Sequence, residues 1–472
     1  MAYTAAVRNA APGIPVVIGG IESSTRRLTH YDYWDNDLRR SILIDSKADI
    51  LVYGMGERSV LEIAKALDSG VPVREIAGVN GTVRYLKTEP SGIRRLPSFE
   101  DCRASQRKFI EHYRIYEKHW QEPLAESANG RWILQEPPHP AMTTDEIDSV
   151  FDLPFSRMEH PSHLREGGVP ALKTVESSII SHRGCLADCS FCSIAVHQGR
   201  YLSTRSKDSI LKEARAIASK PGFSGTITDV GGPSANMYGM ECKTGGCQSH
   251  NCVGSEVCRN LMTSHKHYLD LLDAVSKIPG VRHVFVGSGM RYDLLLRETD
   301  EVFDRLVAKH VGGQLKVAPE HSSERVLRAM RKPSWKKYLL FRERFLRSAA
   351  RLGLKRHLVP YLITSHPGAA IEDELELLRS LQKIGFVPDQ IQDFIPLPMT
   401  RSSIMFFCGV DPDSGESLKV ARTREDKEKQ FAVLRPKEQK YSALRKGLVE
   451  PHGGKKRGQR DSRGKQGPNR HS

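Results

Sequence analysis

At 472 residues the chain can hold two or three domains, since single cores seldom grow beyond roughly 250 to 300 residues. Its 39% hydrophobic and 27% charged residues are those of a folded globular protein, and no apolar run approaches the roughly 20 residues a bilayer crossing needs, which excludes wholesale disorder and a membrane span. The formal net charge of +15 permits an anionic partner such as nucleic acid without requiring one.

No signal-peptide hydrophobic segment opens the sequence, so a cytoplasmic location with reduced thiols is expected. In chain order, Tyr3 to Ala11 reads as a helix and Val16-Val17-Ile18-Gly19-Gly20 as a short buried strand ending in a glycine turn. Asp49 to Tyr53 is a second strand, and Gly54-Met55-Gly56-Glu57 turns into a helix with Val60, Leu61, Ile63, Ala64 and Leu67 inward. Residues 1–80 therefore read as a partial doubly wound, Rossmann-like α/β domain. Residues 81–172, including Pro137-Pro138-His139-Pro140, show no sustained period and are expected to be a connecting region with one helix near Ser105 to Trp120.

From 173 to 410 the pattern alternates β-rich runs with amphipathic helices, which predicts parallel strands joined by helical crossovers. The six expected strands are Glu176 to Ser181, Gly225 to Val230, Val281 to Val286, Gly313 to Ala318, Arg356 to Thr364 and Gln390 to Ile395. Six such repeats make a partial (β/α)6 barrel, whose reactive groups sit on loops after the carboxyl ends of strands. Residues 411–450 form a C-terminal extension. Residues 451–472 carry seven Lys and Arg against Asp461 alone and are expected to be a disordered basic tail, simply solvated or a weak RNA-binding arm.

Seven of the nine cysteines lie between Cys185 and Cys258. Cys185, Cys189 and Cys192 fall on the loop after the first barrel strand. Thiolates select zinc, copper(I) or iron–sulfur centres, and three of them on a four-iron cluster leave one iron open to a substrate. The alternative is a structural zinc completed by His197 or His182. Cys242, Cys247, Cys252 and Cys258 crowd a loop with little apolar content, where zinc or an iron–sulfur cluster would supply order, two disulfides being the alternative. Glu320 and His321 end the fourth strand at the same rim, as a catalytic acid and imidazole for proton transfer or as a capping pair for the next helix.

Cys-x3-Cys-x2-Cys with Phe191 before the last cysteine, after the first strand of a six-stranded partial barrel, resembles the radical S-adenosylmethionine (SAM) superfamily. Ser181 to Arg200, Asp229-Val230-Gly231-Gly232-Pro233, Val317-Ala318-Pro319-Glu320-His321 and Pro360-Tyr361 to His366-Pro367-Gly368 look like the YgiQ-type, UPF0313-like radical SAM proteins, a group without an assigned reaction. So do Ile18-Gly19-Gly20-Ile21-Glu22 and His30-Tyr31-Asp32-Tyr33-Trp34-Asp35.

The resemblance implies a [4Fe–4S] cluster on Cys185, Cys189 and Cys192, S-adenosyl-L-methionine chelated at the open iron, and a reducing electron donor. SAM would then be split to a 5'-deoxyadenosyl radical that acts on an unknown substrate. By position Phe191 would lie beside the adenine and Gly231-Gly232 near the SAM amino group, with Pro233 where an acidic residue is usual. Ser288 and Arg291 would contact ribose or carboxylate. The first 80 residues are similar to the later strands of a cobalamin-binding fold without its histidine-containing loop, so cobalamin is expected to be absent if Met1 is the true start. The competing readings are a tRNA-modifying methylthiotransferase-like enzyme, suggested by the basic charge and Ser322 to Met330, and a non-catalytic iron–sulfur binding protein.

Overall fold

The computed structural model describes residues 1–247, 251–388, 391–435, 438–441 and 444. The expected basic tail, 451–472, lies outside the described residues, as does Gln390 at the start of the sixth expected strand.

The first third of the chain builds a six-stranded sheet in the order Val17–Ile18, Ile50–Val52, Thr82–Leu86, Arg131–Gln135, Leu124–Ala128 and Arg94–Arg95. The first pair is parallel, as the reading of residues 1–80 expects. The next three pairings are antiparallel and the last is parallel again. Four of the six strands thus come from residues 81–172, which the sequence reading left as a connection with one helix. That helix is present as Gln106–His119.

The strands there were hidden by polar residues on buried positions. Glu126, in mid-strand, is fully buried because the Thr29 backbone N–H, the Thr29 hydroxyl and the His112 ring satisfy it. Arg84 reaches Glu136 at 3.0 Å. Such residues break the apolar alternation that marks a strand without breaking the strand. Asn129 and Gly130, with φ of 51° and 70°, make the two-residue turn joining Leu124–Ala128 to Arg131–Gln135, as that dipeptide is suited to do.

The helix Glu57–Asp68 departs from its expected inward stripe. Ile63 is buried, but Val60, Leu61 and Ala64 are exposed. Its partner surface is a small cluster of Ile50, Val52, Ile76 and Val79, too narrow to cover a full apolar face.

From residue 178 onward the parallel strands are neighbours in the same order in space as in sequence. Ser178–Ile180 pairs with Asp229–Gly231, and the adjoining Thr226–Ile227 pairs with His283–Val284. A parallel bridge from Met290 to Val317 leads to Gln314–Glu320, which pairs with His357–Thr364, and that strand pairs with Gln392–Asp393. The crossovers are the helices Lys207–Ala218, Lys266–Ser276, Asp300–Lys309, Trp335–Arg351 and Ile371–Lys383. Their inward residues, Ile210, Leu272, Val307, Phe341 and Leu377 among them, join one core with Leu28, Tyr31 and Ile133 of the first third. The helix Arg401–Cys408 ties the end back to the beginning: Phe407 meets Tyr31 at 5.0 Å and stands edge-on to Phe109 at 5.7 Å.

Candidate functional site

The three-cysteine segment leaves the sheet after Ser178–Ile180. A short antiparallel pairing of His182–Arg183 with Ser203–Thr204 pinches residues 184–202 into a closed loop. Gly184 begins it with a φ of 86°, and a Cβ there would lie 1.7 Å from the Tyr201 carbonyl oxygen, so only glycine fits. The loop backbone is then pinned from three sides. Asp188 N–H donates to Val253 O and Val253 N–H to Leu186 O, Ser190 N–H donates to Met330 O, and Ser190 O accepts from Ser402 N–H, all at 2.9 to 3.1 Å.

Cys185 is buried, and Cys189 and Cys192 are partly exposed. Burial pushes the Cys185 and Cys192 thiols up, the latter to about 12, and Cys189 adds to both shifts. Arg291 brings Nη1 to 3.8 Å from Cys189 Sγ. Its guanidinium is gripped at 2.8 Å twice by Asp293 and donates to Gly254 O at 3.0 Å. Three thiols on a fixed loop with a cation beside one of them fit a cluster ligated by thiolates, whose negative charge that cation would balance. Of the histidines of the zinc alternative, His182 Nδ1 meets Ser181 Oγ and His197 Nδ1 meets Ser24 Oγ, both at 2.9 Å, while His182 Nε2 is buried without a hydrogen-bond partner.

Gly231 and Gly232 follow the second strand, where close approach excludes a side chain. A Cβ on Gly232 would stand 2.6 Å from the His182 ring, and one on Gly231 2.9 Å from Ser288 Oγ. The Ser288 hydroxyl donates to Asp229, which also accepts the N–H groups of Gly287 and Ser288 at 2.8 and 3.0 Å. Asp229 thus organises the turn that carries Ser288. The sequence does not signal this role, because the acid usual beside such a glycine pair follows it, where Pro233 stands. Phe191 is half-buried and edge-on to His366 at 6.1 Å. His366 in turn accepts from Ser402 at 2.7 Å, a pairing across 36 residues that no local motif signals.

Glu320 and His321 are adjacent in sequence but belong to separate networks. Glu320 is buried in the left-handed region at φ 67°, its carboxyl raised by burial and partly held down by Lys332, 3.5 Å away. His321 Nδ1 accepts from Ser323 N–H at 3.0 Å, at the start of the helix Glu324–Ala329, and Nε2 lies 3.5 Å from Glu374. His321 therefore holds the backbone just ahead of that helix without capping it, and Glu320 does not share the contact.

The second cysteine group packs against the first loop. Cys252 shares a small apolar cluster with Cys185, Met237 and Leu261, and Cys258 N–H donates to Cys252 O at 2.8 Å. Burial and the other three thiols push Cys252 up to about 11. Among the described residues no three His, Cys, Asp or Glu side chains gather where a single metal ion would sit.

Two family models divide the chain: Radical SAM N-terminal matches residues 1–178, and Radical SAM superfamily matches residues 179–381. A UPF0313 protein of Clostridium botulinum (strain ATCC 19397 / Type A) is 40% identical over 463 residues, covering 95% of this chain and 72% of that one. The UPF0313 protein of Clostridium perfringens (strain 13 / Type A) is 41% identical over 464 residues, covering 95% and 70%. The chain belongs to the UPF0313 group of radical SAM proteins. As a radical SAM enzyme it works with a [4Fe–4S] cluster, SAM, a reductant and a substrate, and its reaction is unassigned. No helix among the described residues is long and apolar enough to cross a membrane.

Two solved structures are similar to this radical SAM protein. One is the radical SAM methyltransferase TsrM from Kitasatospora setae with tryptophan and a SAM analogue bound, at 16% identity and a TM-score of 0.47 over 84% of this chain and 59% of that one. The other is the cobalamin-dependent SAM radical enzyme OxsB with aqua-cobalamin bound, at 12% identity and a TM-score of 0.47 over 84% and 43%.

Proposed function

We propose that this UPF0313 protein holds its [4Fe–4S] cluster on Cys185, Cys189 and Cys192, at the mouth of a partial barrel formed by the six parallel strands from Ser178–Ile180 to Gln392–Asp393. Bound there, the cluster supplies the electron that splits SAM to a 5'-deoxyadenosyl radical. The observation that carries this reading is the loop itself: three thiols on a backbone anchored by Val253, Met330 and Ser402, with Arg291 Nη1 3.8 Å from Cys189.

The chain's own groups have distinct tasks. Gly231 and Gly232 leave no room for a side chain against Ser288 and His182, so the turn packs closely beside the place proposed for SAM, to which Ser288, fixed by Asp229, also presents its turn. Phe191 offers an aromatic edge for the adenine. Glu320, with its raised carboxyl near Lys332, is the group best suited to hold a proton at this rim, and His321 Nδ1 is taken up by the Ser323 N–H.

Anaerobic reconstitution with iron and sulfide, then SAM and dithionite, should yield 5'-deoxyadenosine and about four irons per chain. Replacing Cys185, Cys189 and Cys192 with Ala should remove both, while Cys102→Ala and Cys408→Ala, remote thiols buried against other parts of the core, keep them. Full activity in the triple variant would refute the assignment.

A further inference from the structure

A pocket opens on the face of the three-cysteine loop that looks toward the first sheet. Counting space open to solvent it encloses about 1010 Å³. Cys189, Ser190 and Cys192 border it on one side and Arg27, Tyr53 and Tyr116 on the other, whereas Gly231, Gly232 and Ser288 do not reach it. It therefore adjoins the proposed cluster through Cys189 and Cys192 but lies away from the glycine pair and Ser288.

Five arginines line the pocket, and four are neutralised. Arg58 pairs with Glu146, Arg200 with Asp188 at 3.3 Å, Arg331 with Glu117 at 2.9 Å, and Arg401 with Asp411 at 3.0 Å. Arg27 is different. It is 2% exposed, and no described carboxylate lies within ion-pair distance of it. Its three hydrogen-bond acceptors are neutral: Gln135 Oε1 at 2.7 Å, Tyr116 Oη at 2.9 Å and the Ser24 carbonyl. Its guanidinium lies over the Tyr53 ring at 4.4 Å and the Tyr116 ring at 5.3 Å. A buried guanidinium without a counterion costs several kcal/mol, a deficit that an incoming anion would cancel.

One further group of the wall has unmet polar capacity: Ser190 Oγ is buried with no hydrogen-bond partner, whereas His139 Nε2 faces Glu62 at 3.7 Å. Trp120 and Tyr201, stacked with ring centres 6.1 Å apart and an interplanar angle of 29°, add aromatic surface to the wall, which Met55 and Met142 also line. Charge demand at one end and an aromatic wall along the side specify an anionic ligand with a flat ring.

We infer that this pocket binds an acidic, planar small molecule, its carboxylate or phosphate on Arg27 and its ring along Trp120 and Tyr201, and that this molecule is the substrate class of the enzyme. The assignment as substrate rests on the radical SAM reading; the binding does not.

The test therefore measures binding alone, on the full chain with its cluster, in the absence of SAM and reductant. By isothermal titration calorimetry, 2-naphthoate should bind at least about tenfold tighter than the neutral 2-naphthalenemethanol, as one charge-assisted pair allows. Arg27→Met should erase that preference. Should Arg27→Met not fold, Ala141→Trp, which fills the partly exposed mouth, should abolish binding of 2-naphthoate. Equal affinity for the two probes in the native protein, a preference surviving Arg27→Met, or 2-naphthoate still bound by Ala141→Trp would each overturn the inference. Separately, naphthoate binding by protein that makes no 5'-deoxyadenosine would keep the site and remove its link to the radical reaction.

Discussion

Arg291 bridges two side chains: Asp293 at 2.8 Å on one side of its guanidinium and the Cys189 sulfur at 3.8 Å on the other. Burial alone would lower the Arg291 pKa, but Asp293 and Cys189 raise it, so the arginine stays charged, while Arg291 holds the Asp293 carboxyl below its usual range against the pull of burial. Removing one member strands the other. Arg291→Met should destabilise the apoprotein by about 3 to 5 kcal/mol in urea denaturation, and Arg291→Met with Asp293→Leu should recover most of that. A double variant no more stable than the single would show that the pair's worth lies in its links to Gly254 and Cys189.

Gly184 sets the entry to the cysteine loop. Gly184→Ala places a methyl group on the Tyr201 carbonyl, so the loop must shift, and both melting temperature and iron content should fall well below native values. Gly130→Ala is the control. Its φ of 70° is also left-handed but its surroundings are open, so it should lose about 1 kcal/mol and keep its iron. Native iron content in Gly184→Ala would count against a rigid loop.

Three buried histidines should make the fold acid-sensitive. Burial lowers His30 and His182 to about 4 and His366 to about 3. Each folded pKa lies below the unfolded value of about 6.5, so the unfolded chain binds more protons, and stability is lost as pH falls from 6.5 through the folded values. Each ring contributes up to ~1.4 kcal/mol per pH unit in that window. The His366 ring donates from Nδ1 to Pro367 O at 2.8 Å, so its Nε2 accepts from Ser402. His366→Gln should reduce the pH slope of unfolding between 6 and 4 by one proton, and an unchanged slope would mean that His366 titrates normally.

Thiol reactivity should separate the second cysteine group. The Thr244 hydroxyl at 3.2 Å lowers the thiol pKa of the partly exposed Cys242, whereas burial raises Cys252 to about 11 and Cys408 to about 12. Brief iodoacetamide treatment of metal-free protein at pH 7.5 should label Cys242 more than about tenfold faster than either. Equal labelling of Cys242 and Cys252 would mean that the loop opens in solution.

Some of this protein was legible in order and spacing alone. The three cysteines within eight residues, the glycine pair, and the alternation of strands and helices from residue 178 are local patterns, because a helical or strand period and a ligand loop are each complete within a short stretch of chain. Tertiary structure decided the rest. Four segments between residues 82 and 135 became strands of the first sheet because Glu126 and Arg84 found Thr29, His112 and Glu136 across the fold, partners 52 to 97 positions distant except for His112. Asp229 took charge of Ser288, and His321 came to face Glu374 across the fold, through contacts no motif encodes. Arg27 stands as a charge without a partner only because folding buries it against Tyr53 and Tyr116 while every other arginine of that pocket meets a carboxylate. A local pattern states which groups are present. Whether a buried charge or polar atom is satisfied depends on distances between residues far apart in the chain, which packing alone determines.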